Sequence, residues 1–242
     1  MGSEGPPRNP TEFTLAEAWN GTAWSFVSTP QPLTPGGTAL NQVSCTSATS
    51  CMAVGYFGFS NGFGTSLTLA EAWNGTAWRH VSTPTPGNSG ALAGVSCTSA
   101  TACIAGGGHA TPTNPTMVNA TLAEQWNGQH WMTLATPNPS GAGGAGLGGV
   151  SCTSPEACMG VGSAFDQTGE SSFNVAEAWN GTSWSLLRTP SPGSTNNELR
   201  GVSCTSASSC LAVGDDIGIG NGHTLAEIWN GTKWAVVPTP HP

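Results

Sequence analysis

Charge is scarce in this sequence. Of its 242 residues only 7% are Asp, Glu, Lys or Arg, and 13 acidic residues against 5 basic ones give a net charge of −8. The basic residues are scattered and form no stripe that could neutralise a run of phosphates, so we expect no nucleic-acid partner and no anionic membrane partner. No apolar run approaches the ~20 residues of a membrane-spanning helix, and we expect no membrane span.

The sequence also lacks the marks of a secretory signal and of a disordered chain. Its opening, MGSEGPPRNP, has neither the charged start nor the apolar core of a signal peptide. If the chain is exported, either a signal has been removed or export depends on a feature that this sequence does not show. Disordered chains combine few aromatic residues with high net charge. This chain has 10 Trp and only 7% charged residues, and that combination indicates a folded protein.

Cysteines are few but regularly placed. The 8 residues form pairs of identical spacing with none left over, which predicts four local disulfides formed in an oxidising compartment and hence an extracellular or cell-surface protein. A zinc site is the competing interpretation, but the His residues do not recur in register with the pairs; buried free thiols are the remaining alternative. The pairs are Cys45 with Cys51, Cys97 with Cys103, Cys152 with Cys158, and Cys204 with Cys210.

Two phrases repeat along the chain. TLAEAWNGTAW begins at Thr14 and returns in close copies four more times, whereas VSCTSATSC, which begins at Val43, returns only three more times. The first Trp of the longer phrase recurs at spacings of 54, 53, 53 and 50 residues. A period near 50 is typical of the four-stranded blades of a β-propeller, and a solenoid is the competing architecture.

The longer phrase predicts a β-hairpin with two unlike faces. Its Asn20-Gly21 pair favours a two-residue turn that sets Trp19 opposite Thr22 and Glu17 opposite Trp24. Side chains alternate along strands, so we expect the bulky face of one copy to cover the small face of the next, as between propeller blades. The bulky face carries Leu15, Glu17, Trp19, Thr22, Trp24 and Phe26, and the small face carries Ala16, Ala18, Ala23, Ser25 and Val27.

The cysteine phrase predicts a second hairpin, closed by its disulfide. If a blade consists of the Cys hairpin followed by the Trp hairpin, the Pro-rich and irregular connections emerge on one side of the molecule. The tight turns then lie on the other side. Function usually resides in variable loops carried by a rigid scaffold, so the side with the variable loops is the first place to look for a ligand.

The paired phrases GVSCTSAxxCxAVG and LAEAWNGTxWxxVxTPxP resemble repeats of bacterial, often actinobacterial, extracellular proteins with β-propeller-like folds. They are also loosely similar to Kelch and Asp-box repeats. The resemblance covers nearly everything after residue 13 and implies a propeller fold. It implies no catalytic residue, because Trp19 stands where an Asp-box has its Asp and the paired glycines of Kelch are absent.

We therefore predict an all-β protein, a β-propeller of the five-bladed type with four complete four-stranded blades and an N-terminal half-blade. The predicted domain organisation is a flexible segment at 1–13, then one propeller domain at 14–240, divided into a half-blade at 14–30 and blades at about 40–84, 92–137, 147–190 and 199–240. One blade is thus short by two strands. Either the ring tolerates this, or another chain or an upstream segment completes it.

Two sets of repeated polar residues have structural explanations. The Glu of each Trp hairpin fits a buried carboxylate that accepts hydrogen bonds once per blade, with a cation-binding ring of carboxylates as the functional alternative. The Asn of each NGT matches a glycosylation acceptor but is also explained by the hairpin turn. The glutamates are Glu17, Glu71, Glu124, Glu177 and Glu227; the acceptor asparagines are Asn20, Asn74, Asn180 and Asn230, with Asn119 in NAT.

Two loops carry the candidate ligand-binding residues. The loop GYFGFSNGFG places aromatic side chains together as no other repeat does. Such a cluster could be a recognition patch for a glycan or a protein, and it could equally be a plug over the propeller or a cover for its open strand edge. The loop DDIGIGNGH could offer oxygen ligands to calcium but is more typical of a solvated turn. Asp166 and Glu170 are the other close acids, and no catalytic set, cofactor or metal is expected. The candidates are Tyr56, Phe57, Phe59, Phe63, Asp215, Asp216 and His223.

These observations favour a non-enzymatic extracellular binding module that meets a glycan or a cell-surface protein with its variable loops. One alternative is a structural protein that self-associates by completing its half-blade with another chain. The other is a carbohydrate-active enzyme, a lyase or glycosidase, since propellers host all three kinds of function.

Overall fold

The computed structural model describes residues 13–31, 37–58, 65–87, 89–111, 114–193, 195–217 and 222–240. This part of the chain contains eighteen strands and no helix, and hence no helix that could cross a membrane. The strands are β1 (Ala16–Trp19), β2 (Trp24–Val27), β3 (Thr38–Ser47), β4 (Ser50–Gly58), β5 (Ser66–Trp73), β6 (Trp78–Val81), β7 (Gly90–Ser99), β8 (Ala102–Thr111), β9 (Asn114–Trp126), β10 (Trp131–Leu134), β11 (Gly144–Ser154), β12 (Ala157–Phe165), β13 (Ser172–Trp179), β14 (Trp184–Leu187), β15 (Asn196–Ser206), β16 (Ser209–Ile217), β17 (Gly222–Trp229) and β18 (Trp234–Val237).

The strands form four antiparallel four-stranded sheets and one two-stranded sheet. We call β3–β6, β7–β10, β11–β14 and β15–β18 blades one to four, and β1 with β2 the half-blade. The first strands of successive blades contact one another, so the Cys hairpin is the inner half of each blade and the Trp hairpin the outer half. The predicted fold class is confirmed: an all-β propeller with four complete blades and an N-terminal half-blade.

All eight cysteines are paired as the spacing predicts. Each disulfide joins directly opposed residues of an inner hairpin, and the inner hairpin therefore closes at its turn end. The four bridges are local and tie no blade to another. Four disulfides indicate formation in an oxidising environment.

The predicted two-residue turn of the Trp hairpin is wrong. Trp19 lies opposite Trp24 and Glu17 opposite Phe26, so the loop has four residues. Only Gly21 adopts a positive φ, of 98°, because the Asn20 side chain closes the turn by accepting hydrogen bonds from the backbone N–H groups of Thr22 and Ala23, both at 2.9 Å. The register shifts by two residues, an even number, so the predicted division into bulky and small faces still holds.

The predicted stacking of bulky on small faces is present. Met52 and Ala72 on the small face of blade one pack with Trp126 and Trp131 on the bulky face of blade two. Blade three covers blade two in the same way, and blade four covers blade three. The hydrophobic core is therefore a series of interfaces between successive blades.

Inner hairpins contain glycines at which the backbone of the opposite strand comes very close. A Cβ atom added to Gly162 would lie 2.0 Å from the carbonyl oxygen of Gly146, a distance that no real structure tolerates. We expect Gly162→Ala to lower the free energy of unfolding by about 3 kcal/mol, because the two strands must move apart. Gly146→Ala is the matched control in the same blade, since its Cβ would meet nothing nearer than 3.9 Å. Urea denaturation of both variants measures the difference, and equal stabilities would contradict this account.

Candidate functional site: the incomplete blade

The half-blade has an unpaired strand edge. In the complete blades the third strand is hydrogen-bonded on both sides, whereas β1, its counterpart, pairs with β2 alone in the described part of the chain. Within the described residues, alternate backbone N–H and C=O groups from Ala16 to Trp19 therefore have no strand partner on this side. Such an edge is a template for another strand.

A cavity of about 450 Å³ lies between the half-blade and blade one, beside this edge. Its walls are mostly apolar because it occupies the place of an inner hairpin. Val43 on its floor is 54% exposed, whereas its counterparts Val95 and Val150 are 3% and 4% exposed. The lining includes Ala16, Ala18, Val27, Leu40, Val43, Trp73 and Trp78.

The outward side of the half-blade is its bulky face, and it is uncovered. Trp24 is 65% exposed, whereas Trp131 and Trp184, at the same position in blades two and three, are 5% and 6% exposed. Leu15, Trp19 and Phe26 are exposed beside it. The half-blade thus separates two apolar surfaces, the cavity on one side and this face on the other.

The repeated glutamates lie in the blade interfaces, except for the first. Glu71, Glu124, Glu177 and Glu227 are fully buried, whereas Glu17 is exposed. Glu227 accepts hydrogen bonds from the Asn174 amide, at 2.9 Å, and from the Thr189 hydroxyl. Burial raises its pKa, and these two donors oppose the rise.

The glutamates of blades one to three have fewer hydrogen-bond donors than Glu227 of blade four. The carboxylates of Glu71 and Glu124 accept no hydrogen bond from the described residues. Desolvation by burial raises the pKa of Glu71 to about 7 and that of Glu124 to about 8. It raises the pKa of Glu177 to about 7, although the Thr121 hydroxyl lowers it. With desolvation as the main influence, the neutral form of these carboxyl groups is favoured.

The aromatic loop is only partly described. Tyr56 and Phe57 are half-buried at the end of β4, and the Phe57 ring meets His80 edge-on with centroids 6.4 Å apart. Phe59 and Phe63 lie outside the described residues. The role of these aromatics in binding stays a prediction.

The acidic loop of blade four is occupied by its own ion pairs. Asp215 contacts Arg200 at 2.6 Å, and Arg200 also contacts Glu198 at 2.8 Å. Asp216 lies 3.3 Å from His223. Among described residues no cluster of three or more His, Cys, Asp or Glu side chains could hold a metal ion.

The remaining polar candidates serve turns. Asp166 accepts hydrogen bonds from the Thr168 hydroxyl at 2.7 Å and from nearby backbone N–H groups; the Thr168 bond is the main cause of its lowered pKa. The NGT asparagines accept backbone hydrogen bonds across their turns, as Asn180 does from Thr182 and Ser183. The side chain of Asn119 is not described.

The structure brings the predicted candidates together in two separate places. Tyr56 and Phe57 belong to blade one, and Asp215, Asp216 and His223 belong to blade four. The cavity residues Leu40 and Val43 were missed by sequence reasoning. The signal for them was the absence of a Cys hairpin before the first Trp hairpin.

No protein-family model matches the sequence, and no curated protein does. Solved structures with a similar fold exist. YCF48 bound to a D1 peptide gives a TM-score of 0.50 at 11% identity, over 86% of this chain and 55% of that chain. The GH74 xyloglucanase from Xanthomonas campestris gives 0.46 at 15%, over 76% and 27%. The BT0996 RGII complex gives 0.45 at 9%, over 83% and 74%.

This chain thus spans about half the length of the YCF48 chain and about a quarter of the xyloglucanase. At such low identities the likeness concerns the fold alone. The sheets and their order agree with the likeness to the YCF48 structure: the chain has the fold of a β-propeller.

Proposed function

We propose that this chain is a non-enzymatic extracellular binding module that takes up an extended segment of a partner protein at its incomplete blade. The observation that carries this proposal is the apolar cavity with Val43 on its floor, directly beside the free edge of β1. The disulfides and the resemblance to bacterial extracellular repeats support an extracellular or cell-surface location. We infer that the half-blade and the four blades form one domain, residues 14–240.

Binding would proceed by strand addition. Backbone groups of the partner segment would bond to the free edge from Ala16 to Trp19, and alternate side chains would enter the cavity. The complete blades show which side chains fit. The residues that pair with the buried glutamates are all small, namely Ala53, Ala105, Gly160 and Ala212. We therefore expect a segment with a small residue opposite Glu17 and apolar residues on either side of it.

A peptide ligand suits this site better than a glycan. A strand edge offers a row of backbone hydrogen-bonding groups with a spacing that an extended peptide matches, and the cavity beside it is lined by aliphatic and indole side chains. The YCF48 structure also holds a peptide, which at 11% identity is an analogy of fold alone.

A hairpin peptide copied from this chain provides the test. Residues 201–214, GVSCTSASSCLAVG, form the inner hairpin of blade four and can be synthesised with the disulfide closed. We expect saturable binding to the intact protein by calorimetry, with a change in tryptophan fluorescence because Trp73 and Trp78 line the cavity. A scrambled peptide with the same disulfide should not bind.

Two variants locate the binding. Val43→Asp places a charge on the cavity floor and should weaken peptide binding at least tenfold, and Val43 is exposed enough for the variant to fold. Val236→Asp is the matched control, because Val236 is also exposed but lies on blade four. Absence of binding at millimolar peptide, or equal binding by the two variants, would refute the proposal.

A further inference from the structure

We propose that this chain associates head to tail with a second copy, the half-blade of one protomer covering the open small face of blade four in the next. This inference concerns the protein without a bound peptide and uses the bulky face of the half-blade, whereas the proposed peptide would add to the free edge and enter the cavity on the other side. Its test therefore contains no peptide. It rests on the interface that the chain forms between its own blades.

That interface is repeated between each pair of successive blades. On the small face of blade three, Met159 and Ala178 are packed beneath Trp229 and Trp234 on the bulky face of blade four. The same arrangement joins blades one and two and blades two and three. Each blade therefore needs a bulky face on one side and a small face on the other.

Blade four and the half-blade lie at the two ends of the series of blades, and each exposes one of the two faces that form this interface. On blade four, Leu211 and Val213 are 46% and 49% exposed, whereas the corresponding Met159 and Val161 of blade three are 4% and 0% exposed. Ile228, on the same face, is exposed as well. The half-blade exposes Leu15, Trp19, Trp24 and Phe26. The described part of the chain thus carries both halves of an interface, and its own residues leave both exposed.

A polar contact inside this interface has counterpart residues at the same two ends. In the interface between blades three and four, Asn174 and Thr189 on the small face of blade three donate hydrogen bonds to Glu227. These two donors belong to the strand and the Pro-rich run of the preceding blade. They hold the Glu227 carboxylate of blade four, the blade that covers blade three.

Thr224 and Thr239 occupy the places of those donors on blade four. Their hydroxyls bond to each other at 2.9 Å and to the carbonyl oxygens of Pro240 and Thr224, and among the described residues they hold no carboxylate. Glu17 occupies the place of Glu227 on the half-blade, and it is exposed. In the head-to-tail arrangement Glu17 of the partner copy would lie next to these two threonines, in the position that Glu227 takes beside Asn174 and Thr189.

The charges on blade four show why a half-blade, and not a complete blade, is the fitting cover. Glu198, Arg200 and Asp215 form an exposed ion-pair cluster on the inner strands of blade four. A complete blade would bury this cluster under its inner hairpin. The half-blade has no inner hairpin among the described residues, so the cluster would stay in water while the apolar residues are covered. In blade three, which is covered by a complete blade, the same places hold Gly146, Gly148 and Ser163.

The strength of the contact follows from its size. Three exposed aromatic side chains on the half-blade offer on the order of 400 Å², the size at which an apolar patch marks an interaction surface. The interface is heterologous, so copies form a ring if the rotation closes and an open chain if it does not. We expect micromolar affinity, because the contact is at the small end of specific interfaces.

Sedimentation equilibrium from about 1 to 500 µM provides the test. The average mass of the intact protein should rise with concentration beyond that of the monomer. A variant with Trp24→Ser and Phe26→Ser loses the bulky face, and a variant with Leu211→Asp and Ile228→Asp loses the small face. Each variant alone should remain a monomer, since every contact needs both faces.

Mixing the two variants distinguishes this arrangement from any other association. Each retains one intact face, so the mixture should form a dimer and stop there. Leu186→Asp alters an exposed leucine of blade three and should associate like the unaltered protein. The proposal fails if the intact protein stays monomeric, if either double variant still associates alone, or if the mixture gives no dimer.

Discussion

Trp184→Ala is expected to lower the free energy of unfolding by about 3 to 5 kcal/mol, and Trp24→Ala by less than about 1 kcal/mol. Both residues occupy the same place in a Trp hairpin, and each stacks on a second tryptophan, at 5.8 Å for Trp184 and 5.6 Å for Trp24. They differ in what covers them. Trp184 is packed against Ile104 and Ala123 of the preceding blade, whereas Trp24 is 65% exposed.

The comparison therefore isolates the energy of a blade interface from that of the hairpin. Urea denaturation of both variants in the Leu211→Asp and Ile228→Asp background, where the proposed association is absent, measures both values. If Trp24→Ala cost as much as Trp184→Ala, the bulky face of the half-blade would be covered within the monomer. Neither the open face nor the head-to-tail contact would then hold.

Much of the fold could be predicted because the sequence repeats its packing chemistry. The period near 50, the Cys pairs and the alternation of bulky and small residues each follow from local strand geometry. The turn register could not be predicted, because the Asn20 side chain replaces the backbone conformation that a two-residue loop needs. The faces were still correct, since the error was an even number of residues.

The location of the candidate site could be predicted from the sequence, but the exposure of its residues could not. Counting five Trp hairpins against four Cys hairpins located the unpaired edge. Val43 and Val95 stand in nearly the same phrase, yet one is exposed and the other buried. Exposure depends on whether an adjacent blade is complete, and no local pattern around Val43 records that.

The burial of the repeated glutamates could be predicted from the sequence, but their hydrogen bonding could not. Their position on the bulky face predicted burial, and four of the five are buried. The sequence interpretation supplied each carboxylate with hydrogen-bond donors, but within the described residues only Glu227 has side chains that donate to it at hydrogen-bond distance. Thr68, for example, uses its hydroxyl on Thr83 and the Pro84 carbonyl. Desolvation therefore dominates at Glu71 and Glu124.

This desolvation predicts that the protein loses stability as pH rises. Burial raises the pKa of Glu124 from 4.5 to about 8. Below pH 4.5 the carboxyl group is protonated in both the folded and the unfolded chain. Between pH 4.5 and 8 the unfolded chain releases the proton and the folded chain keeps it, so unfolding is increasingly favoured. Above pH 8 both forms are ionised and the loss is complete, on the order of 3 to 5 kcal/mol for this residue.

Glu124→Gln removes the ionisation and keeps the shape. At pH 8 the variant should be more stable than the unaltered protein by several kcal/mol, whereas at pH 4 the two should unfold at nearly the same urea concentration. Glu17→Gln is the matched control, because Glu17 holds the same place on the half-blade but is exposed, and it should leave the pH dependence unchanged. If Glu124→Gln destabilised the protein at pH 8, the carboxylate would be ionised and held by its surroundings. The glutamate row would then be a set of satisfied anions, and burial would not be what governs its protonation.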